Sequence, residues 1–219
     1  MANAGTVALR LVNDTAGFDN YVCVIWQENL AVEPQFRKYV AWQVIHERDF
    51  DSGRAYAFDY PFQLQVAASD SWNNLTPRID AEYGASFSMT RTESGDALVP
   101  SGNIPDPTGI EMTNNLEEGS INFWCCRGGK KMALANDVDP GISARFAFDP
   151  AHTIHLGIAL LGEIEEGVAF KEFNGMPVML GVSLPLRELV SADIVMTGGG
   201  GGNSAQRISF IIKNVVTDH

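Results

Sequence analysis

The sequence predicts an all-β protein, an antiparallel β-sandwich built from two pseudo-repeats with little helix. Three observations carry that expectation. Apolar residues alternate with period two through much of the chain, helical periodicity is nearly absent, and three blocks of strand-type sequence recur in the same order in both halves. Leu9-Arg10-Leu11-Val12-Asn13-Asp14 is echoed by Ile110-Glu111-Met112-Thr113-Asn114-Asn115. Tyr56-Ala57-Phe58-Asp59 returns as Phe146-Ala147-Phe148-Asp149, followed in each case by a strand-like stretch, residues 63–66 and 153–156. Ala85-Ser86-Phe87-Ser88-Met89-Thr90 is matched by Ala192-Asp193-Ile194-Val195-Met196-Thr197. A shared order with drifting spacing is what loop-length changes after a duplication produce.

Taken along the chain, residues 6–12 place Val7, Leu9 and Leu11 at alternate positions, and Asn13-Asp14-Thr15-Ala16-Gly17 follows with turn chemistry. Residues 20–27 carry Tyr21, Val22, Cys23, Val24, Ile25 and Trp26 without a break, the signature of a central strand covered on both faces. Further strands are expected over residues 39–45, 54–58, 62–68, 78–82 and 85–91, with turns at Asp51-Ser52-Gly53 and Asp70-Ser71-Trp72-Asn73-Asn74. Residues 100–109, which hold Pro100, Gly102, Pro105, Pro107 and Gly109, read as a seam where no ladder continues. Beyond it, strands are expected over 110–113, 120–126, 131–135, 143–148, 153–160, 178–184, 192–197 and 206–216. The last two are joined by Gly198-Gly199-Gly200-Gly201-Gly202-Asn203-Ser204, a glycine hairpin loop, and only residues 184–190 suggest a helical turn, with Pro185 in its first turn.

The organisation that follows is a first pseudo-repeat over 1–99, the seam over 100–109 and a second pseudo-repeat over 110–219. One sandwich shared by both halves is favoured over two separate domains, because the seam is short and the apolar runs at Tyr21 and Ile121 both look covered on two sides.

Composition limits the partners. With 27 acidic and 15 basic residues the net charge is −12, which repels nucleic acid phosphates and anionic lipid alike and suits a soluble surface. There is no basic, apolar leader and no apolar run of about 18 residues, so neither a cleavable signal nor a membrane span is expected. The expected location is the cytoplasm, or outside the cell by a route without a cleavable signal. Cys23, Cys125 and Cys126 are odd in number and lack a framework spacing, which fits buried free thiols.

Motif chemistry is sparse. His152 and His155 stand three apart across a strand start and face opposite sides, so no metal site is expected there, and no cofactor motif is present. The carboxylate pairs Asp49/Asp51 and Asp137/Asp139 sit in turns and offer too few oxygens for Ca²⁺. Two surfaces remain. Residues Gly199, Gly200, Gly201 and Asn203 of the glycine loop form a candidate contact in a subunit interface. Trp72, with Asp70, Asn73 and Asn74 beside it, has the make-up of a sugar site, an aromatic ring for the apolar sugar face and amide or carboxylate groups for the hydroxyls. The function expected is therefore a non-enzymatic structural or interaction protein that forms homo-oligomers. A lectin-like protein binding a glycan through Trp72 is the alternative, and a hydrolase using the loop carboxylates is the third.

Overall fold

The computed structural model describes residues 5–50, 54–72, 74–170, 178–200 and 206–218. The chain is all-β. Its strands are β1 (Thr6–Ala16), β2 (Tyr21–Trp26), β3 (Tyr39–Val40), β4 (Gln43–His46), β5 (Ala55–Pro61), β6 (Leu64–Asp70), β7 (Ile79–Ala81), β8 (Ala85–Thr92) and β9 (Gly95–Asn103). They continue as β10 (Gly109–Asn114), β11 (Ile121–Arg127), β12 (Lys130–Val138), β13 (Ser143–Ala147), β14 (Ile154–Leu160), β15 (Ala169–Phe170), β16 (Val178–Leu184), β17 (Leu189–Gly199) and β18 (Gln206–Thr217). Among the described residues the only helical pieces are 3₁₀ turns at Pro34–Phe36 and Glu47–Asp49. The helical turn expected over 184–190 is instead a link between β16 and β17, closed by the Leu189 N–H donating to the Leu186 carbonyl at 2.9 Å.

Four sheets of four strands run in the orders β18-β17-β1-β5, β13-β10-β8-β9, β12-β11-β6-β7 and β16-β14-β2-β4, and β15 pairs with β3. Most ladders are antiparallel, as expected for a chain of short strands and tight turns. Two are parallel, β1 with β17 and β8 with β10. Neither pair is joined by a hairpin, so no tight turn dictates its polarity.

Side-chain alternation explains which faces are covered. In β1, Val7, Leu9 and Leu11 are buried while Ala8 and Arg10 point outward. In β2 everything from Val22 to Trp26 is buried, so this strand has apolar cover on both sides, and β11 behaves likewise. The main core draws from all four large sheets, with Leu9 and Ile194 from the first, Phe87 and Phe146 from the second, Val66 and Phe123 from the third, and Ile25 and Leu156 from the fourth. Each such side chain contributes about 1.5–3 kcal/mol by leaving water. On the far face of β2, Val22, Val24 and Trp26 pack under Tyr39 and Phe170 of the small β3/β15 sheet. A third, smaller cluster joins Ala67, Trp124 and Cys126.

The seam differs from expectation at its start. No strand is expected over residues 95–103, yet β9 forms there as the hairpin partner of β8 and runs through Pro100, which pairs opposite Phe87 next to a bulge. Proline is tolerated because β9 is an edge strand and its missing N–H leaves no ladder partner unpaired.

Candidate functional site

The two strands covered on both faces end side by side in polar residues. Gln27 follows β2 directly and Arg127 closes β11, and both are buried, Arg127 completely. Period two places Arg127 on the same face as Phe123 and Cys125, so the strand carries a guanidinium into the main core.

Its donors are all satisfied by neutral acceptors. Nη1 donates to the carbonyls of Pro61, at 3.3 Å, and of Phe62, at the corner between β5 and β6. Nη2 donates to the Tyr83 hydroxyl at 3.2 Å and to His152 Nδ1 at 3.3 Å, and Nε donates to Gln27 Oε1 at 3.3 Å. That same oxygen accepts the Tyr60 hydroxyl at 2.6 Å, while Gln27 Nε2 donates to the Thr153 carbonyl at 3.0 Å. The guanidinium lies over the Tyr60 ring, 5.2 Å from its centroid, and Trp42 Nε1 donates to the Arg127 carbonyl at 3.0 Å. Among the described residues no carboxylate comes within ion-pair distance of Arg127. Desolvation is offset here by five hydrogen bonds and a π face rather than by a counter-charge.

This geometry sets the protonation of its neighbours. His152 packs on Phe62 with ring centroids 4.6 Å apart, and burial, then the Arg127 and Arg187 charges, lower its pKa to about 4, against a smaller opposing pull from Asp149. Because Nδ1 accepts from Arg127, the neutral ring carries its proton on Nε2. Burial also pushes the Tyr60 and Tyr83 phenols up, against the opposing effect of Arg127.

A pH dependence follows. An unfolded imidazole titrates near 6.5 and the folded one near 4, so the unfolded chain binds the extra proton between those values. His152 therefore contributes stability above pH 6.5 that is lost progressively as pH falls toward about 4. Urea unfolding at stepped pH is expected to show this slope, and His152→Gln to flatten it; an unchanged slope in the variant would refute the assignment.

The residues singled out by sequence are placed as follows. Trp72 does not plug the fold: it is 85% exposed. Asp70 turns its carboxylate back on its own loop, Oδ1 accepting the Trp72 and Asn74 N–H groups at 2.9 Å and Oδ2 accepting Asn74 Nδ2 at 2.7 Å. The Asn74 contacts, with the Trp72 N–H, hold that carboxyl below its ordinary pKa. The ring is therefore presented to solvent while the polar groups beside it serve the turn. Asn73 lies outside the described residues.

Gly199 ends β17 at φ +81°, and an added Cβ would lie 2.7 Å from the Ala16 carbonyl oxygen. The Gly200 N–H donates to that same oxygen at 2.5 Å. These glycines thus secure β17 to the end of β1, while Gly201 and Asn203 lie outside the described residues. The carboxylates do not gather: Asp49 Oδ2 accepts the His46 N–H at 2.7 Å and Asp139 Oδ1 accepts the Ser120 hydroxyl at 2.8 Å. Asp51 lies outside the described residues. His155 stacks on Trp26 at 5.5 Å, so its ring serves a different surface from that of His152. Among the described residues no group of three His, Cys, Asp or Glu side chains is arranged to hold a metal. Cys125 faces the main core and Cys126 the small cluster, as adjacent strand residues must. All three cysteines are free and buried, and burial raises their thiol pKa values.

Sequence reasoning missed the Arg127 network. The available signal was a charged residue in phase with the apolar face of a continuous apolar run, matched by Gln27 in phase with Cys23 and Ile25.

One surface stands out by its edge. β18 is terminal in its sheet, and Ile211, Val215 and Val216 expose close to half of their area. Beside it runs β16, terminal in the neighbouring sheet, with Met179 and Leu180 similarly exposed. The two strands are locked by Phe210, whose ring occupies the space above Gly181, 2.1 Å from where a Cβ would sit. No family model, curated protein or solved structure matches this chain.

Proposed function

We propose that this chain is a non-enzymatic interaction protein that associates with further copies of itself through the edge formed by β18 and β16. The observation that carries the proposal is a twelve-residue terminal strand with exposed aliphatic side chains and no proline. Such an edge offers unpaired backbone groups and apolar surface together, which is a template for pairing with another chain. The contrast with β9, terminal in its own sheet, supports it. β9 carries Pro100, Gly102 and Asp96 and no large exposed hydrophobic among its described residues, so that edge is blunted. Bulges near Asn214 and Arg207 confine the regular part of β18 to Ser209, Phe210, Ile211, Ile212 and Lys213. The strand itself holds Arg207 and Lys213 and no carboxylate, which offsets part of the chain's acidic repulsion along this edge. Two copies meeting antiparallel at β18 close a twofold dimer.

The same reading takes the chain as an internal duplication in one shared sandwich. In its favour, β18-β17-β1-β5 and β9-β8-β10-β13 follow one order, as do β4-β2-β14-β16 and β12-β11-β6-β7. Every large sheet then takes two strands from each half. Asn13 lies opposite Met196 and Asn114 opposite Met89, and both buried asparagines accept the N–H two residues on at 3.1 Å. The match of β5 with β13 runs through Phe58 and Phe146, opposite Leu9 and Ile110, two residues from the alignment of Phe58 with Phe148. A shift of two keeps every side chain on its face.

Light scattering coupled to size-exclusion chromatography, over a wide concentration range, tests the proposal. A dimer mass is expected, with Ile211→Lys giving a folded monomer by circular dichroism. A strict monomer at every concentration overturns it. A lectin-like reading is favoured by the exposure of Trp72 alone, and a blank glycan array would remove it.

A further inference from the structure

We infer that the cavity beside Arg127 binds a small organic anion, a carboxylate carried on an apolar body, with Arg187, His152 and Tyr83 as its polar contacts. The cavity has a volume of about 280 Å³, and its walls include Phe148, Pro107 and Pro150 as well as those three polar residues. That is room for one ring and its acid group, at the small end of ligand pockets.

Three of its polar groups are donors, while the Thr108 hydroxyl gives its hydrogen to Asp106 Oδ1 at 2.7 Å. His152 Nδ1 accepts from Arg127, so the Nε2–H is the donor the ring has to offer. The Tyr83 oxygen accepts from Arg127 Nη2, which leaves the phenol its own hydrogen to give. Arg187 is exposed at the rim and makes no ion pair among the described residues. Behind these groups lies the buried Arg127 guanidinium, whose hydrogen-bond partners are all neutral, so no ion pair cancels its charge toward the adjoining space.

The nearby carboxylates are engaged: Asp149 is turned to its own loop, accepting the Ala151 N–H at 3.0 Å and the Thr153 hydroxyl at 2.5 Å, and Asp106 accepts from Thr108 and from Arg145. In a chain of net charge −12, a cavity flanked by two guanidiniums and floored by donors is a local electrostatic exception. Charge-assisted hydrogen bonds from Arg187 to a carboxylate, with ring contacts to Phe148 and the two prolines, match what it presents. The apolar walls favour a carboxylate on a carbon skeleton over a fully hydrated inorganic anion.

The test titrates the full chain with sodium benzoate, following the His152 and Tyr83 ring resonances by NMR, beside its neutral isostere benzamide and inorganic phosphate. Saturable shifts at millimolar benzoate or below are expected, with benzamide and phosphate each weaker by about tenfold or more. Arg187→Gln, an exposed substitution that leaves the fold intact, is expected to weaken benzoate about tenfold, and Tyr83→Phe by about threefold or more. Absence of saturation overturns the site. Phosphate or benzamide binding as well as benzoate overturns the ligand class, and unchanged benzoate affinity in Arg187→Gln overturns the assigned contacts.

Discussion

Arg127→Ala is expected to lower the free energy of unfolding by about 3–5 kcal/mol, among the largest losses a single substitution in this chain can cause. The truncated side chain leaves the Pro61 and Phe62 carbonyls, the Tyr83 hydroxyl, His152 Nδ1 and Gln27 Oε1 without the donor they share. It also opens a cavity beneath the Tyr60 ring. Two further variants separate the causes. Arg127→Met restores most of the volume but none of the donors, so a loss close to that of alanine would assign the cost to unpaired acceptors. Arg127→Lys keeps the charge but cannot span acceptors on five residues from a single ammonium, and is expected to recover less than half of the loss. Urea denaturation with a common slope reads all three. A loss under about 1 kcal/mol for Arg127→Ala would show that the network does not hold the two central strands together.

The second large effect is expected at Asn114. Its Nδ2 donates to the Gly119 carbonyl at 2.9 Å and to the Val138 carbonyl at 2.8 Å, and its Oδ1 accepts the Leu116 N–H at 3.1 Å. Three bonds to three backbone groups, two of them fully buried, join the end of β10 to the loop that follows it and to the end of β12, so Asn114→Ala is expected to cost about 2–4 kcal/mol. Asn13, like Asn114 placed opposite a methionine across a parallel ladder, accepts among the described residues from Thr15, through its N–H at 3.1 Å and its hydroxyl at 2.6 Å. Asn13→Ala is therefore expected to cost about 1–2 kcal/mol. Thermal and urea unfolding of the two variants in parallel checks the ranking. Equal losses would mean that the long-range bonds of Asn114 carry no more weight than the local turn both residues make.

How far the sequence could be read depends on the range of the interaction concerned. Val7, Leu9 and Leu11 alternate because a strand turns successive side chains to opposite faces, and the continuous runs in β2 and β11 announce cover on both sides. Gly17 locates a break for an equally local reason, but Asn13 to Ala16, expected as a turn, continue β1 because β17 pairs alongside them. Trp72 shows where this stops. Its loop was legible, but whether the ring would be buried or stand in solvent depended on what reached it from elsewhere, and nothing among the described residues covers it. Pro100 shows the same for pairing, since its effect depended on whether β9 would be central or at an edge.

On its own, the amino-acid order determined that this chain makes strands, which side chains of each strand share a face, and roughly where most of them lie, because backbone geometry and turn chemistry act over a few residues; the full length of β1 and the presence of β9 came from pairing. Only the tertiary structure decided that β1 would lie parallel to β17 and β8 to β10, and that Arg127 would find its acceptors at the β5–β6 corner, on Tyr83 and at the turn before β14. The physical reason is that partner choice and the fate of a buried charge are set by residues far apart in the chain. Periodicity carries no record of which apolar faces, or which carbonyls, will meet.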